Sequence, residues 1–335
     1  MPTPHVKSRV LATLAAQPGQ FFSGQSLAEH LGVSRAAVWK AIEALRAEGI
    51  GVEAAPNRGY ALSPQADVLT ADAVAARDLL AALQVSVVDE AESTNAAVRA
   101  RAADGAPEGL VLIAKAQTQG RGRLGRTFYS PAGTGLYLSV LLRPALAAPQ
   151  APLLTALAAV AAAEAAEDLC GQPVRIKWVN DLLCGGKKVC GILTEAAMSL
   201  ESGGLDYVVL GAGFNLAAPA GGWPPELAQT AGALFAAPPP AGARAALAAA
   251  FLQRFWALYQ GFDKAAFLPQ YRRRQAVLGR RVEVLAPGAP PRAATALAID
   301  DDCRLVVRFA DDGATAALPG GEVRVRPDPT IKKEN

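Results

Sequence analysis

Gly120-Arg121-Gly122-Arg123-Leu124-Gly125-Arg126 is the stretch on which the reading of this chain turns. Three glycines and three arginines share its seven positions. The apolar run Leu110 to Gln117 before it reads as a strand. Thr127 to Gly135 after it reads as a loop, and Leu136 to Leu142 as a second strand. Glycine lets a backbone take positive φ and come close to a ligand. Arginine presents a planar fork of donors that fits phosphate or carboxylate. The segment therefore reads as a cradle for an anion. It also matches the Gly-x-Gly-x-x-Gly dinucleotide pattern, which needs a helix directly after the glycines and an acidic residue about 20 positions on. Ser130-Pro131 breaks the chain where that helix would run, and no Asp or Glu occurs between Glu108 and Glu164. The dinucleotide reading fails on this context. Five cations in the acid-free span, Lys115, Arg121, Arg123, Arg126 and Arg143, leave side-chain charge and backbone amides to hold the ligand.

Length and composition bound what surrounds this loop. A chain of 335 residues suggests about two domains. An apolar fraction of 51% with only 6% aromatics suits an alanine-rich protein of helices and strands. A net charge of +3 is too small to imply nucleic acid or membrane by itself. Cys170, Cys184, Cys190 and Cys303 show no C-x-x-C spacing. They read as free thiols in a reducing compartment, with no metal site. The polar N-terminus lacks a signal-peptide pattern, and no run is apolar enough to span a bilayer, so a cytoplasmic protein is expected.

Residues 7 to 62 form a unit of their own. Val6, Val10, Leu11 and Leu14 share one helical face, ended by Pro18-Gly19. Ser26 to Leu31 is a short second helix. Ser34 caps a third, Arg35 to Glu48, closed by Gly49, with Val38, Ile42 and Leu45 as its stripe. Strands Val52 to Ala55 and Tyr60 to Leu62 flank the turn Pro56-Asn57-Arg58-Gly59. This is the layout of a winged helix-turn-helix, whose third helix places its N-terminal residues at base edges in the major groove. Arg35, Lys40 and Arg46 outweigh Glu43 and Glu48 on that helix, although residues 1 to 67 carry only a net +1. A packing or protein-interaction module remains the alternative. Trp39 is expected to pack in the small core.

Further on, Leu69 to Leu83 reads as a helix and Val85 to Val88 as a strand. Glu92-Ser93-Thr94-Asn95 then precedes a helix from 96 to 103. The hydroxyls here serve equally as a helix cap or as contacts to a small polar ligand. Leu153 to Leu169 is an alanine-rich helix. Val174 to Lys177 runs into Trp178-Val179-Asn180-Asp181, and Gly185-Gly186 turns the chain into Lys187-Lys188 and a buried strand. Such a hairpin brings Lys177 and Lys188 towards one side, where cations stabilise acyl or phosphoryl transfer; a solvated hairpin tip is the other reading. Strand Tyr207 to Leu210 ends in Gly211-Ala212-Gly213-Phe214-Asn215, whose glycines and amide suit a flat ring. Residues 218 to 242 read as irregular, 243 to 259 as a helix, and Arg272-Arg273-Arg274 as a solvated basic face. From Val277 short strands (282–285, 295–299, 304–309 and 322–325) suggest a small β-barrel before a polar tail, 328 to 335, expected to be disordered.

In this order and spacing the motifs resemble the biotin protein ligases, specifically the bifunctional ligase/repressors with an N-terminal DNA-binding domain. The resemblance rests on Ser34 to Lys40, Arg58-Gly59-Tyr60, Ser93-Thr94-Asn95, Gln117 with Gly120 to Arg126, Lys177 to Asp181, Lys188 with Gly191 to Leu193, Gly211 to Asn215, and Gly320-Gly321-Glu322. It implies an α+β protein with domains at 1–65 (winged helix), 66–275 (mixed-sheet ligase domain, class II synthetase-like) and 276–327 (SH3-like barrel). It implies that biotin and ATP, with Mg2+, form biotinyl-adenylate, and that biotin then passes to a lysine of a carboxylase biotin carrier domain. Ser93, Thr94, Asn95, Gln117, Gly120, Arg121, Gly122, Arg123, Lys188 and Gly191 are implied at biotin. Arg121, Arg123, Arg126, Phe128, Lys177, Asn180, Lys188 and Asn215 are implied at ATP. Lys188, Arg123 and Asp181 are implied in catalysis, with Ser34, Arg35, Ala36, Lys40 and Arg58 on operator DNA. A homodimer is implied on adenylate or DNA. Loop 120–126 is expected to be open until the adenylate forms. Two departures stand out: Phe128 replaces a tryptophan common over the adenine, and Val179 a proline common in its motif. A lipoate ligase-like enzyme and a catalytically weak biotin sensor are the alternatives.

Overall fold

The computed structural model describes residues 6–47, 50–64, 66, 68–75, 82–198, 204–286, 288–320 and 324–327. It divides into two compact units, Met1–Leu80 with Pro238–Ala249, and Ala81–Ala237 with Ala250–Asn335.

The first unit packs α1 (Val6–Ala16), α2 (Gly24–Leu31) and α3 (Arg35–Ala47) with the hairpin β1 (Val52–Ala55) and β2 (Gly59–Leu62). Local chemistry sets the helix ends. The Ser23 hydroxyl accepts from the Ser26 amide at 2.9 Å and starts α2, and Gly32, at φ 65°, ends it. The Ser34 hydroxyl accepts from the Ala37 amide at 3.2 Å and starts α3. Val10, Leu14, Leu27, Val38, Ile42 and Leu45 form the core. Gly59, at φ +98°, turns the wing where a Cβ would lie 2.1 Å from the Phe22 carbonyl oxygen, so a side chain has no room. Trp39 corrects the sequence reading: it is 54% exposed rather than packed. The α3 core positions are 38, 41, 42 and 45. Residue 39 lies about 100° around the helix from 38, outside that stripe. Of the helix expected over 69–83, the described part is α4 (Ala71–Ala75), and Ala82 and Leu83 are not helical. Glu48 and Gly49 lie outside the described residues.

The second unit is built on a seven-stranded sheet. Its strands are β3 (Gln84–Ala91), β4 (Leu110–Gln117), β5 (Gly135–Leu142), β6 (Val174–Lys177), β7 (Asp181–Cys184), β8 (Lys187–Met198) and β9 (Leu205–Asn215). The order is β3-β4-β5-β9-β8-β7-β6, parallel between β3 and β4 and antiparallel elsewhere. All eight residues of β5 are buried, so both faces of the sheet are covered. On one face α5 (Thr94–Ala103) sets Val98 against Leu112, Leu141 and Val209. On the other lie α6 (Ala151–Cys170) and the part of α7 (Ala243–Gln260) that follows residue 249, with the Thr155 and Thr194 hydroxyls 2.7 Å apart and Phe251 edge-on to Phe214. The alanines of α6 are small enough to let that helix lie close to the strands; thirteen of its residues are buried.

α8 (Lys264–Arg273) leads to β10 (Arg281–Leu285), β11 (Arg292–Ile299), β12 (Leu305–Phe309), β13 (Thr315–Leu318) and β14 (Arg324–Pro327). These form an antiparallel sheet in the order β13-β12-β11-β10-β14, which is open among the described residues. Glu322 and the tail 328–335 lie outside them. The basic run is not a plain solvated face. Arg272 donates to the Ile299 carbonyl at 2.9 Å and pairs with Asp301, and Arg274 pairs with Glu167 at 2.6 Å, leaving Arg273 exposed. The Trp178 indole donates to the Cys303 carbonyl at 2.9 Å, fastening the β6–β7 turn to this sheet. Among the described residues no helix is long and apolar enough to cross a membrane.

Candidate active site

Two pockets meet on the sheet face that carries α5. One runs from Ser93, Thr94, Asn95 and Gln117 to Phe128 and Gly191. The other holds Lys188, Asn215, Tyr129 and Trp223. Phe128 lines both, and Lys188 Nζ lies 5.7 Å from its ring centre. Lys188 therefore stands at the junction.

The polar end of the first pocket is a connected network. Ser93 caps α5, which begins at Thr94 rather than at residue 96, and lines the pocket as well. The Thr94 amide and hydroxyl donate to Gln117 Oε1 at 2.8 and 3.1 Å, and Gln117 Nε2 donates to the Ser130 hydroxyl at 2.9 Å. Ser139, fully buried, reaches Thr94 Oγ1 at 2.8 Å and Asn95 Oδ1 at 2.6 Å. Asn95 Nδ2 donates to Glu195 Oε2 at 2.8 Å and to the Leu193 carbonyl. Both polar atoms of Asn95 are thus engaged inside the protein.

Two glycines of β9 make room for this arrangement. A Cβ on Gly211 would lie 2.1 Å from Asn95 Oδ1, and one on Gly213 2.5 Å from Phe128 Cε1. Their first role is to admit Asn95 and Phe128 rather than to approach a flat ring directly. Phe128 also packs on Gly191 and sits edge-on to Tyr137. The Asn215 amide donates to the Gly232 carbonyl at 3.1 Å and edges the second pocket.

The Gly/Arg loop is a folded turn, not an open segment. The Gly122 amide donates to the Arg126 carbonyl at 2.7 Å and the Phe128 amide to the Gly120 carbonyl at 2.8 Å. At Gly120 a Cβ would fall 2.3 Å from the Phe128 carbonyl oxygen. Leu124 takes φ 58° at the tip and is 46% exposed. Arg123 latches the loop down, donating to Asn180 Oδ1 at 3.2 Å and to the Gly320 carbonyl. Gly120, Gly122, Arg123 and Arg126 border a further hollow beside the first pocket, and Arg121 lines both.

Charge concentrates at the junction. The β7–β8 hairpin turns on Gly185 and Gly186, both at positive φ, and sets Lys188 Nζ 2.6 Å from Asp181 Oδ1. Lys177, opposite Asp181 in the β6–β7 register, has its amine pulled below the usual lysine range. Burial is the main cause; Asp181 opposes it, while Lys188 and Arg126 add to it. Lys187 is exposed and donates to the Ala228 carbonyl at 3.3 Å. The Trp178–Val179 peptide is cis. Such a site can seat an elongated acid by its polar end and bring its carboxylate and a nucleotide phosphate to one lysine.

In the first unit, Arg35, Ala36 and Lys40 are exposed on α3, the Ser34 hydroxyl is spent on capping, and Arg58 lies over the Phe21 ring, 4.1 Å from its centre.

Known proteins align with both parts of the chain. A model for the "Biotin/lipoate A/B protein ligase family" matches residues 88–215, and one for an "HTH domain" matches residues 7–61. The bifunctional ligase/repressor BirA of Bacillus subtilis is 38% identical over 232 residues, spanning 67% of this chain and 69% of that protein. The chain belongs to the bifunctional biotin ligase/repressor family. BirA of Escherichia coli K12 is 36% identical over 212 residues, 63% of this chain and 64% of that one. The solved structure of the biotin protein ligase from Aquifex aeolicus in complex with biotin and ATP matches with a TM-score of 0.62 at 25% identity, covering 73% of this chain and 99% of that one. The resemblance drawn from the motifs is borne out.

Sequence reasoning missed several residues that this family member brings to the site. Tyr137 and Ser139 sit two apart in an otherwise apolar strand, a period-2 signal that both point to one face. Glu195 closes the Asn95 network from far along β8. Tyr129 and Trp223 meet edge-on at 6.5 Å across the second pocket. Trp223 lies in the stretch read only as irregular, and nothing local marked it.

Proposed function

We propose that the protein is an ATP-dependent biotin protein ligase that also acts as a repressor responding to biotinyl-adenylate. The position of Lys188 where the two pockets meet carries this reading. Ser93, Thr94 and Gln117 orient the ring system of biotin at the polar end, and Asn95 holds Ser139 in place. Arg121 and the glycines at 120 and 122 close over the acyl chain. Phe128, Tyr129, Trp223 and Asn215 hold the adenine; Arg123, Arg126, Lys177 and Asn180 lie towards the phosphates. A biotin carboxylate oxygen attacks the α-phosphorus and pyrophosphate leaves, while the Lys188 ammonium neutralises charge growing on the phosphoryl oxygens. Mg2+ bound to ATP would screen the charge of the phosphates that Arg123, Arg126 and Lys177 face. The amine of a carrier lysine then attacks the acyl carbon of the mixed anhydride, AMP leaves, and Asp181 orients that amine or takes its proton. The acceptor is a biotin carrier domain of a carboxylase.

The first unit binds operator DNA through Ser34, Arg35, Ala36, Lys40 and Arg58, and the protein dimerises on adenylate or DNA in the cytoplasm. Domains at 1–65, 66–275 and 276–327, the last SH3-like, with a tail at 328–335, go with this reading.

Incubation with biotin, ATP, Mg2+ and an apo carrier domain should biotinylate the carrier, read by streptavidin blot. Lys188→Ala should still bind biotin in calorimetry but release no pyrophosphate. Normal release by that variant removes Lys188 from its role, and an unlabelled carrier with the intact protein overturns the ligase reading.

A further inference from the structure

We propose that Trp39 reads thymine: its indole, on the outer face of α3, packs on the 5-methyl group of one thymine in each half-site of the DNA that the first unit binds. The proposal rests on the repressor reading above and adds a base-reading residue to it. The inner face of α3 is spent on Val38, Ala41, Ile42 and Leu45. Arg35, Ala36, Trp39, Lys40 and Glu43 make up the outer face, and all are exposed. Among the described residues of this unit, Trp39 is the only large hydrophobic left exposed, at 54%.

An indole held in water forgoes a large burial free energy unless something covers it. Its surroundings name what fits. Arg35 stands one helical turn before it and Lys40 beside it, and among the described residues neither is in a salt bridge. Glu43, one turn beyond, is already paired with Arg46 at 3.0 Å. An apolar ring flanked by two free cations complements a polyanion that displays an apolar group, and on base edges in the major groove that group is the thymine methyl. From Arg35 to Trp39 the helix rises only about 6 Å, within the N-terminal half that such helices lay against base edges. Core packing, the usual reason for a tryptophan in so small a unit, is excluded by its exposure.

The test uses the full chain with biotin, ATP and Mg2+. Wild-type protein selects a consensus from a pool of randomised DNA duplexes. That duplex is then made with deoxyuridine in place of each thymine in turn. Wild-type binding should weaken about fourfold at one thymine per half-site, the worth of one buried methyl group. Trp39→Ala should bind the parent duplex more weakly and not distinguish thymine from uracil there; Trp39→Phe should fall between. The dependence of affinity on salt should keep its slope, because phosphate contacts are untouched. Biotinylation of the carrier and the thermal melt should match wild type, as expected of an exposed position.

Equal discrimination by wild type and Trp39→Ala overturns the assignment. So does a Trp39→Ala variant whose only defect is loss of a dimer in sedimentation, which would make Trp39 a contact between copies. If wild type selects no consensus, the repressor reading fails and the proposal falls with it; a consensus bound equally by both proteins removes Trp39 alone.

Discussion

Ser139 has one hydroxyl proton and two acceptors within 2.8 Å, Thr94 Oγ1 and Asn95 Oδ1. Whichever it serves, both lie in a buried network that ends at Gln117 and Glu195. Removing one partner of a buried hydrogen bond costs about 1–3 kcal/mol, because the group left behind stays desolvated. Ser139→Ala should therefore raise the biotin Kd about tenfold by calorimetry while leaving ATP binding alone; an unchanged Kd would mean the network does not shape the pocket. Lys177 makes a pH prediction. Burial holds its amine below the usual range, and nucleotide phosphates beside it favour the charged form and raise it again. ATP binding then takes up a proton when the pH lies between the free and bound pKa values. Affinity should be full below the free value and fall as pH rises through it. ATP titrations from neutral to alkaline pH should show that decline in wild type and a flatter profile in Lys177→Met.

Among the elements, the Gly/Arg turn is held from outside as well as from within. Arg123 spans to Asn180 beside the β6–β7 turn and to Gly320 after β13, so one guanidinium ties the turn to both sheets of the second unit. Opening the loop to admit substrate requires those bonds to break. Arg123→Ala should leave the turn unlatched and let biotinyl-adenylate escape, labelling bystander proteins on a streptavidin blot. Labelling confined to the carrier domain would show that the latch is not what retains the intermediate. The β7–β8 hairpin acts at the same scale: its two glycines set the register that puts Lys188 against Asp181.

Across the whole molecule, the HTH domain model matches residues 7–61 in one compact unit and the ligase family model residues 88–215 in the other. If the adenylate favours the DNA-binding form, linkage requires the effect to run both ways. A factor by which biotinyl-adenylate tightens DNA binding should equal the factor by which the selected duplex tightens adenylate binding, measured by gel shift and by fluorescence titration. Unequal factors at equilibrium would mean that a third process, such as dimerisation, has been left out of the cycle.

Local sequence determined much of this protein. Helix caps at Ser34 and Ser93, the glycine turns at Gly32, Gly59 and Gly185-Gly186, and the apolar periods of α3 and β5 are set by neighbouring residues, so they can be read along the chain. The order of motifs pointed to the family for the same reason. Trp39 lies about 100° around α3 from Val38, off the stripe of Val38, Ile42 and Leu45, so the helical period already contained its exposure. Tertiary structure alone showed that Asn95 is engaged by Ser139, Leu193 and Glu195, that Gly211 and Gly213 yield space to Asn95 and Phe128, that Trp223 faces Tyr129, and that among the described residues β13 stands at the edge of an open sheet. The latch from Arg123 to Gly320 joins residues 197 positions apart. Contacts of that kind form when distant strands register side by side, and no local pattern encodes them.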